Sequence, residues 1–214
     1  MVKVKFCGFT REDDLENACK LRPDFIGFIV GIPESPRNLT VERARQLLEK
    51  VPSNIQRVCV TKARNTNEVY ELIEYLQPDY LQIHPDFPPE EMLKLRENIG
   101  LIVVLSIPPH CPDVNQIAKT AELYEDVADI TLLDTKGPTG GGTGVPHDWT
   151  VSAEIRRIIK NPVFLAGGLN PSNVRDAIKI VQPDGVDVST GIESAPGKKS
   201  LEKMKSFLQA VRDV

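Results

Sequence analysis

The sequence has few of the features that mark secreted, membrane-bound or nucleic-acid-binding proteins. Its four cysteines form no Cys-x-x-Cys pair and no cluster with the three histidines, so they predict neither a disulfide framework nor a structural metal site. It lacks an apolar run long enough to span a bilayer, and its N-terminus lacks the features of a signal peptide. Its formal net charge is −4, which argues against binding to nucleic-acid phosphates. We therefore expect a cytoplasmic protein with free thiols and a small-molecule ligand.

The chain itself shows a repeated pattern, in which a short β-branched or aromatic run is followed by a loop and then by a segment with helical spacing. At 214 residues, with 41% hydrophobic and 26% charged residues, it can bury one sizeable core. Most of the apolar runs are nearly continuous, which is typical of strands buried on both faces in a parallel sheet. The predicted strands are Val2–Phe6, Phe25–Val30, Arg57–Thr61, Tyr80–Ile83, Leu101–Ser106, Asp129–Leu133, Val163–Ala166 and Gly185–Val188.

Eight predicted helices alternate with these strands. Thr10 and Thr40 stand where side chains cap first turns, and Pro171 suits a first helical turn because no donor is lost there. The predicted helices are Thr10–Lys20, Thr40–Lys50, Asn65–Leu76, Pro89–Asn98, Val114–Tyr124, Thr150–Lys160, Pro171–Val181 and Lys199–Val211.

Eight β/α units without a linker between them indicate an α/β protein with one (β/α)8 TIM-barrel domain over residues 1–214. No sequence repeat stands out within it. The alternative is an open doubly wound sheet, which needs fewer strands and usually a glycine-rich turn after the first one. Here the first strand is followed by Cys7-Gly8-Phe9-Thr10 instead.

Active sites of such barrels lie at the carboxyl ends of the strands, where Cys7 and Asp134 stand as a candidate base and acid. A thiolate can accept a proton, and a desolvated carboxyl has a raised pKa that suits proton donation near neutral pH. Each residue also has an ordinary interpretation. A cysteine is often a small buried hydrophobe, and an aspartate after a strand often caps a turn. Their shared place at one rim favours the acid–base interpretation.

Glycines and hydroxyls follow the last two strands, where barrels commonly bind phosphate. Backbone N–H groups and a nearby helix start can hold an anion, although glycines also serve simply to make tight turns. Two such segments after consecutive late strands favour phosphate. The predicted phosphate-binding residues are Gly167, Gly168, Ser189, Thr190 and Gly191.

Other polar residues of the predicted rim have more open roles. Arg37 can clamp a carboxylate with its planar fork, or it can be a solvated loop cation. His84 can be an acid or a ligand, although a lone histidine is more often structural. A glycine-rich loop, Gly140–Gly144, follows the sixth strand, and the Lys198–Lys199 pair reads as solvated or as complementing charge near the last helix start.

Taken together, these segments resemble the phosphoribosylanthranilate isomerase family of tryptophan biosynthesis, over essentially the whole chain. The matching segments, in the family's order, are Val4–Thr10, Phe25–Phe28, Ser35–Arg37, Leu81–His84, Leu132–Asp134, Gly141–Gly144 with Asp148-Trp149, Ala166–Pro171, Asp187–Glu193 and Pro196–Lys199. Where the family usually has Gly, Phe and Asp, this chain has Pro85, His147 and Ser200.

The resemblance implies a cofactor-free internal rearrangement of N-(5-phosphoribosyl)anthranilate by a monomer or a homodimer. It implies Asp134 as the general acid at the ring oxygen, Cys7 as the general base at C2, and Arg37 at the anthranilate carboxylate. It also places Asp187 towards the sugar or its amine. Two rival functions stay open: a histidine-pathway aminoaldose isomerase of the same barrel type, and a non-catalytic barrel that binds a phosphorylated ligand.

Overall fold

Parallel strands in the computed structural model, which describes residues 1–63, 65–110, 113–137 and 146–214, pair side by side around a closed ring. The strands are β1 (Lys3–Cys7), β2 (Phe25–Val30), β3 (Asn38–Leu39), β4 (Gln56–Thr61), β5 (Tyr80–Ile83), β6 (Gly100–Ile107), β7 (Ile130–Thr135), β8 (Val163–Leu165), β9 (Gly185–Val188), β10 (Glu193–Ala195) and β11 (Lys198–Lys199). Around the ring the order is β1, β9, β8, β7, β6, β5, β4 and β2, and β2 pairs back with β1. The predicted eight-stranded barrel is confirmed.

Each barrel strand is followed by a helix on the outside of the ring. The helices among the described residues are α1 (Glu12–Leu21), α2 (Val41–Leu48), α3 (Thr66–Leu76), α4 (Pro89–Arg96), α5 (Val114–Leu123), α6 (Trp149–Ile158), α7 (Val174–Val181) and α8 (Leu201–Arg212). These bounds lie within three residues of the predicted ones. None of these helices is long and apolar enough to cross a bilayer.

Two of the predicted helix starts are wrong in detail, and one is confirmed. Thr40 caps α2 by accepting a hydrogen bond from the backbone N–H of Arg43. Thr10 instead donates to the carbonyl of Gly197, and α1 begins two residues later without a side-chain cap. Pro171 lies in a turn before α7, because the Asn170 side chain accepts from the N–H of Ser172 and forms a separate turn there.

The apolar residues divide into an inner and an outer layer. Along β6, Ile102 and Val104 belong to one cluster, while Leu101, Val103 and Leu105 belong to the larger cluster shared with the helices. Successive residues of a strand point to opposite faces, so the smaller cluster fills the inside of the barrel. Its buried members are Phe25, Val58, Ile102, Val104, Ile130, Leu132, Phe164 and Ala166.

Aromatic rings fill the amino-terminal part of the barrel interior. Phe25 packs edge-on against Phe164 and Tyr80, with ring centroids 5.3 and 5.5 Å apart. Gly185 leaves space for one of these rings, since a Cβ there would lie 2.5 Å from the Phe164 ring. The interior is therefore closed by packed aromatic side chains at its amino-terminal end.

Four aspartates attach alternate strands of the barrel to their predecessors. Each lies just before its strand, and its Oδ2 accepts a hydrogen bond of 2.7–2.8 Å from a backbone N–H of the preceding barrel strand. Its own N–H donates to the carbonyl of that same residue. The pairs are Asp24 with Val4, Asp79 with Arg57, Asp129 with Leu101, and Asp184 with Val163. The repeated β/α pattern of the sequence thus includes a short repeat of aspartates that did not stand out in the sequence alone.

The repeat includes the end of the preceding helix in three of the four cases. Arg22, Gln77 and Gln182 adopt left-handed backbone conformations at the helix ends, with φ between 47° and 55°. Each is followed by Pro-Asp. Since proline cannot continue the helix, the unit ends a helix and starts a strand at a fixed distance.

Candidate active site

The register of the strands brings three charged side chains to one level inside the barrel, with a cysteine one step beyond. Leu133, Leu165 and Val186 are aligned across β7, β8 and β9, and Val186 is aligned with Val4 of β1. The residue after each of these points inward, which places Asp134, Asp187 and Lys5 at the next level. Cys7 lies one further step along the same face of β1. The structure thus brings the predicted acid and base to one end of the barrel.

Lys5 is one of the site residues that the sequence analysis did not predict. Its side chain is completely buried, and its Nζ lies 2.8 Å from Oδ2 of Asp187. Burial lowers the pKa of Lys5, but the charges and hydrogen bonds of Asp187 and Cys7 together raise it by more, so the net pKa is raised and the group is an ammonium. A lysine two residues before Cys7, between the apolar residues Val4 and Phe6, is the signal that could have revealed it.

The Cys7 thiol is buried next to this ammonium. Burial raises its pKa, the positive charges of Lys5 and Lys199 lower it, and the negative charge of Asp187 raises it, with a net increase. Gly27 faces Cys7 in the register of β1 and β2. A Cβ at Gly27 would lie 2.8 Å from the sulfur, so glycine is what leaves room for the thiol.

Asp134 lies near the end of β7, and its pKa is raised to about 7. Burial is the largest cause and the neighbouring negative charge of Asp187 the second, whereas the backbone N–H of Thr135 and Lys5 act in the opposite direction. A carboxyl with this pKa holds its proton in a large fraction of molecules near neutral pH. It can therefore act as a proton donor, as a general acid must.

One carboxylate oxygen of Asp187 accepts a hydrogen bond from Lys5, and the other is unpaired among the described residues. Its Oδ1 is buried and has no hydrogen-bond partner within the described part of the chain, and the same is true of Oε1 of Gln82 on β5. Gln82 was also not predicted. Because unpaired buried acceptors are costly, both oxygens are suited to accept hydrogen bonds from a ligand.

Arg37 lies over the end of β1, but its planar fork already has a partner. Its Nε and Nη2 donate to the two carboxylate oxygens of Glu193 at 2.7 and 2.6 Å. This pairing raises the pKa of Arg37. Gly8, with φ of +78°, leaves room for it, since a Cβ there would lie 2.6 Å from Cδ of Arg37. Arg37 is thus buried and fixed, and the interpretation as a solvated loop cation is wrong.

Glu193 also binds Lys199, so of the two expectations for the Lys198–Lys199 pair, the one that it is solvated is wrong for Lys199. Lys198 is exposed, but Lys199 is buried, with Nζ 2.9 Å from Oε1 of Glu193. The pKa of Lys199 is lowered, because burial outweighs the charge of Glu193. This ion group holds the β10–β11 hairpin against the site. This ion group was not predicted, because Glu193 and Lys199 are far from Arg37 in the sequence.

The predicted phosphate-binding segments lie against each other. Gly167 and Gly168 adopt φ values of +86° and +68°, and their N–H groups donate no hydrogen bond within the described residues. A Cβ at Gly191 would lie 2.0 Å from the carbonyl of Leu169, so the two segments touch at a position that only glycine fits. Ser189 lies nearby and contacts Lys199 Nζ through its Oγ at 3.3 Å.

His84 follows β5 at the same end of the barrel and is half-buried. Burial is the main cause that lowers its pKa, so the imidazole is neutral near pH 7. Among the described residues, no hydrogen bond or ion pair joins it to the Lys5, Cys7 and Asp187 group. The predicted glycine-rich loop, Gly140–Gly144, lies outside the described residues.

His147 and Ser200, two of the residues that depart from the usual family pattern, have clear partners. His147 binds Thr135 Oγ1 through Nδ1 at 2.8 Å and Ser152 Oγ through Nε2 at 2.6 Å. It thereby connects the end of β7 to α6, and burial lowers its pKa to about 4. Ser200 caps α8 by accepting from the N–H of Lys203, as an aspartate would do in its place.

Comparisons with known proteins agree over the whole chain. A family model described as N-(5′-phosphoribosyl)anthranilate (PRA) isomerase matches residues 4–210. An N-(5′-phosphoribosyl)anthranilate isomerase from Methanothrix thermoacetophila is 38% identical over 213 residues, which is 99% of each chain. The crystal structure of phosphoribosyl anthranilate isomerase from Thermotoga maritima superposes with a TM-score of 0.87 at 32% identity, covering 100% of both chains.

A further solved structure carries a ligand. It is a phosphoribosyl anthranilate isomerase in complex with reduced 1-(o-carboxyphenylamino)-1-deoxyribulose 5-phosphate, with a TM-score of 0.84 at 30% identity, covering 100% of both chains.

Proposed function

Since the chain belongs to the N-(5′-phosphoribosyl)anthranilate isomerase family, we propose that it isomerises N-(5′-phosphoribosyl)anthranilate in tryptophan biosynthesis, with Asp134 as general acid and Cys7 as general base. The product is 1-(o-carboxyphenylamino)-1-deoxyribulose 5-phosphate, whose reduced form is the ligand of the related structure. The observation that carries the residue assignment is the pocket itself. It holds a carboxyl with a pKa of about 7 and a thiol next to an ammonium, at one end of a barrel.

Asp134 opens the sugar ring. Its proton goes to the ring oxygen as the bond from that oxygen to C1 breaks, which leaves a hydroxyl at C4 and an iminium between C1 and the anthranilate nitrogen. Asp134 is left as a carboxylate. A donor with a pKa near the working pH is suited to this step, because it is still protonated yet acidic enough to give up its proton.

Cys7 then removes the proton from C2. The electron pair of the C2–H bond moves to the C1–C2 position, the iminium nitrogen becomes a neutral amine, and the thiolate becomes a thiol. The resulting enol loses the proton of its C2 hydroxyl and gains one at C1, which gives the ketone. C1 is thus reduced and C2 oxidised within one molecule, and a proton must return from Cys7 to Asp134 before the next turnover.

The remaining predicted residues supply binding. We assign the sugar phosphate to Gly167, Gly168, Ser189, Thr190 and Gly191, because the N–H groups of Gly167 and Gly168 donate no hydrogen bond to any residue that the structure describes. Arg37 lies where it can meet the anthranilate carboxylate with the hydrogens that Glu193 leaves unused. Oδ1 of Asp187 is suited to accept from the anthranilate amine, and His84 to contact the substrate from β5.

The fluorescence of freshly prepared N-(5′-phosphoribosyl)anthranilate tests this function. We expect the purified chain to accelerate the loss of its fluorescence in the absence of added metal or cofactor, with the phosphorylated ketose formed in equal amount. Binding without turnover would support the non-catalytic alternative. Turnover of a histidine-pathway aminoaldose alone would support the other isomerase. The cytoplasmic location and the monomeric or homodimeric state stay predictions.

A further inference from the structure

Lys5 is a fully buried cation that the acid and base assignments do not use. Taking an ammonium out of water is unfavourable unless a partner compensates, and replacing a buried ion pair by apolar residues is often neutral or stabilising. Asp187 is such a partner, at 2.8 Å. Stability alone therefore does not explain why this ion pair is buried in the barrel.

The position of the ammonium points to Cys7. Lys5 and Cys7 are two residues apart on β1 and project from the same face. A Cβ at Gly27, on the neighbouring strand, would lie 2.8 Å from the Cys7 sulfur and 3.3 Å from the Lys5 nitrogen. The sulfur and the nitrogen thus converge on the same space inside the barrel, the one that Gly27 leaves open.

We propose that Lys5 is a positioning residue for the base: its ammonium stabilises the thiolate form of Cys7, and Asp187 holds the ammonium in place. The proposal rests on the proposed function, in which that thiolate accepts the C2 proton. Asp187 then has two effects, because it anchors Lys5 on one side and, on the other, its charge adds to burial in raising the pKa of Asp134.

Four charged groups act on the thiol from the surrounding elements. Lys5 on β1 and Asp187 on β9 are the nearest, Lys199 on β11 adds a positive charge, and Arg37 lies above the end of β1. Burial works against the thiolate, and Lys5 provides the largest opposing contribution. Arg37 and Lys199 both bind Glu193, so replacing either of them would also disturb Glu193. Lys5 can be replaced by an apolar residue without that effect.

The test measures the pKa of the Cys7 thiol in the free protein. The background is C19S/C111S, which leaves Cys7 and Cys59; burial raises the pKa of Cys59 to about 12, so it stays protonated. Iodoacetamide is the probe, and the rate of Cys7 alkylation is followed by mass spectrometry as a function of pH. The variants are K5M, D187N, the K5M/D187N double variant, and K3M as the matched change on the exposed end of the same strand.

We expect K5M to raise the pKa of Cys7 by about 1–3, as loss of an adjacent opposite charge does. K3M should leave it unchanged, and D187N should lower it. Because K5M leaves Asp187 buried and unpaired, it can fail to fold; adding K5M to D187N removes both charges and should raise the pKa above that of D187N alone. Circular dichroism identifies the folded variants.

An unchanged thiol pKa in folded K5M, or equal values in D187N and the double variant, would overturn the proposal. A purely structural ion pair predicts this result, with altered unfolding but an unaltered thiol. The measurement uses no substrate. If the parent chain fails to turn over phosphoribosylanthranilate, the proposed function is wrong, while the thiol titration still decides the role of Lys5.

Discussion

At the scale of single residues, the pocket combines one thiol, one ammonium and two carboxyls that differ in protonation. Asp187 has an ammonium as its partner, since it forms an ion pair with Lys5 at 2.8 Å. Asp134 forms no ion pair within the described part of the chain, and burial and the charge of Asp187 raise its pKa to about 7. Two aspartates at one level of a barrel thus take different roles because of their neighbours.

The raised pKa of Asp134 predicts that the free energy of unfolding decreases as pH rises. The folded chain holds this proton more tightly than the unfolded chain, whose carboxyl has a pKa of about 3.9. The contribution of this group to the free energy of unfolding is therefore fully present below pH 4 and is lost as pH rises through about 7. Asp134→Asn removes the effect. We expect the stability of this variant relative to the parent to increase by roughly 2–4 kcal/mol between pH 4 and pH 8.

Urea unfolding of the parent and the variant at pH 4, 6 and 8 measures this difference. Asp126→Asn is the matched control, because Asp126 is exposed and its side chain makes no hydrogen bond among the described residues. Its difference from the parent should not change with pH. A flat difference for Asp134→Asn as well would mean that Asp134 ionises normally and would weaken its assignment as the acid.

At the scale of secondary-structure elements, the repeated aspartates connect strands that the sheet hydrogen bonds alone would leave loose at their starts. Asp24 is the clearest case, since Oδ2 accepts from the N–H of Val4 at 2.8 Å and forms no ion pair within the described residues. Asp24→Ala removes a charged acceptor from a backbone donor. We expect it to lower the free energy of unfolding by about 1–3 kcal/mol.

The conservative variant Asp24→Asn keeps an oxygen at this position and should retain most of that stability. Asp126→Ala, an aspartate in the turn after α5, should change stability by no more than about 0.5 kcal/mol. Unfolding in urea at constant pH compares the three. Equal stabilities of Asp24→Ala and Asp126→Ala would show that the hydrogen bond to Val4 does not stabilise the barrel.

The elements themselves could be predicted well, because buried parallel strands leave continuous apolar runs in the sequence. β2, β5 and β9 have the predicted bounds, and the other barrel strands differ by one or two residues at an end. The short β3 and the β10–β11 hairpin could not be predicted. They are two or three residues long, carry no apolar run, and depend on contacts such as those of Glu193 with Arg37 and Lys199.

At the scale of the whole molecule, the barrel determines which distant residues meet. The residues at the ends of the predicted strands do lie at the rim of the barrel. Cys7, Asp134 and Asp187 could therefore be predicted as members of one pocket. Lys5 could not be predicted to pair with Asp187, because the two are 182 positions apart and only the register of β1 and β9 brings them together. The same holds for Arg37 and Glu193, which are 156 positions apart.

The central claim is that Asp134 and Cys7 perform the two proton transfers. Cys7→Ser keeps the size of the side chain but replaces the thiol by a hydroxyl that hardly ionises near neutral pH, and Asp134→Asn keeps the shape but cannot donate an acidic proton. Each group should contribute about 10²–10⁴-fold to kcat. Asp134→Asn should lose at least as much as Cys7→Ser, because ring opening precedes the step at C2.

Steady-state turnover of N-(5′-phosphoribosyl)anthranilate by both purified variants is the most direct test, with circular dichroism to confirm folding and binding of the reduced product analogue to confirm an intact pocket. We expect both variants to fold, to bind the analogue, and to lose at least about 100-fold in kcat. A folded variant that binds the analogue and keeps a kcat near that of the parent, with chemistry rate-limiting, would contradict it.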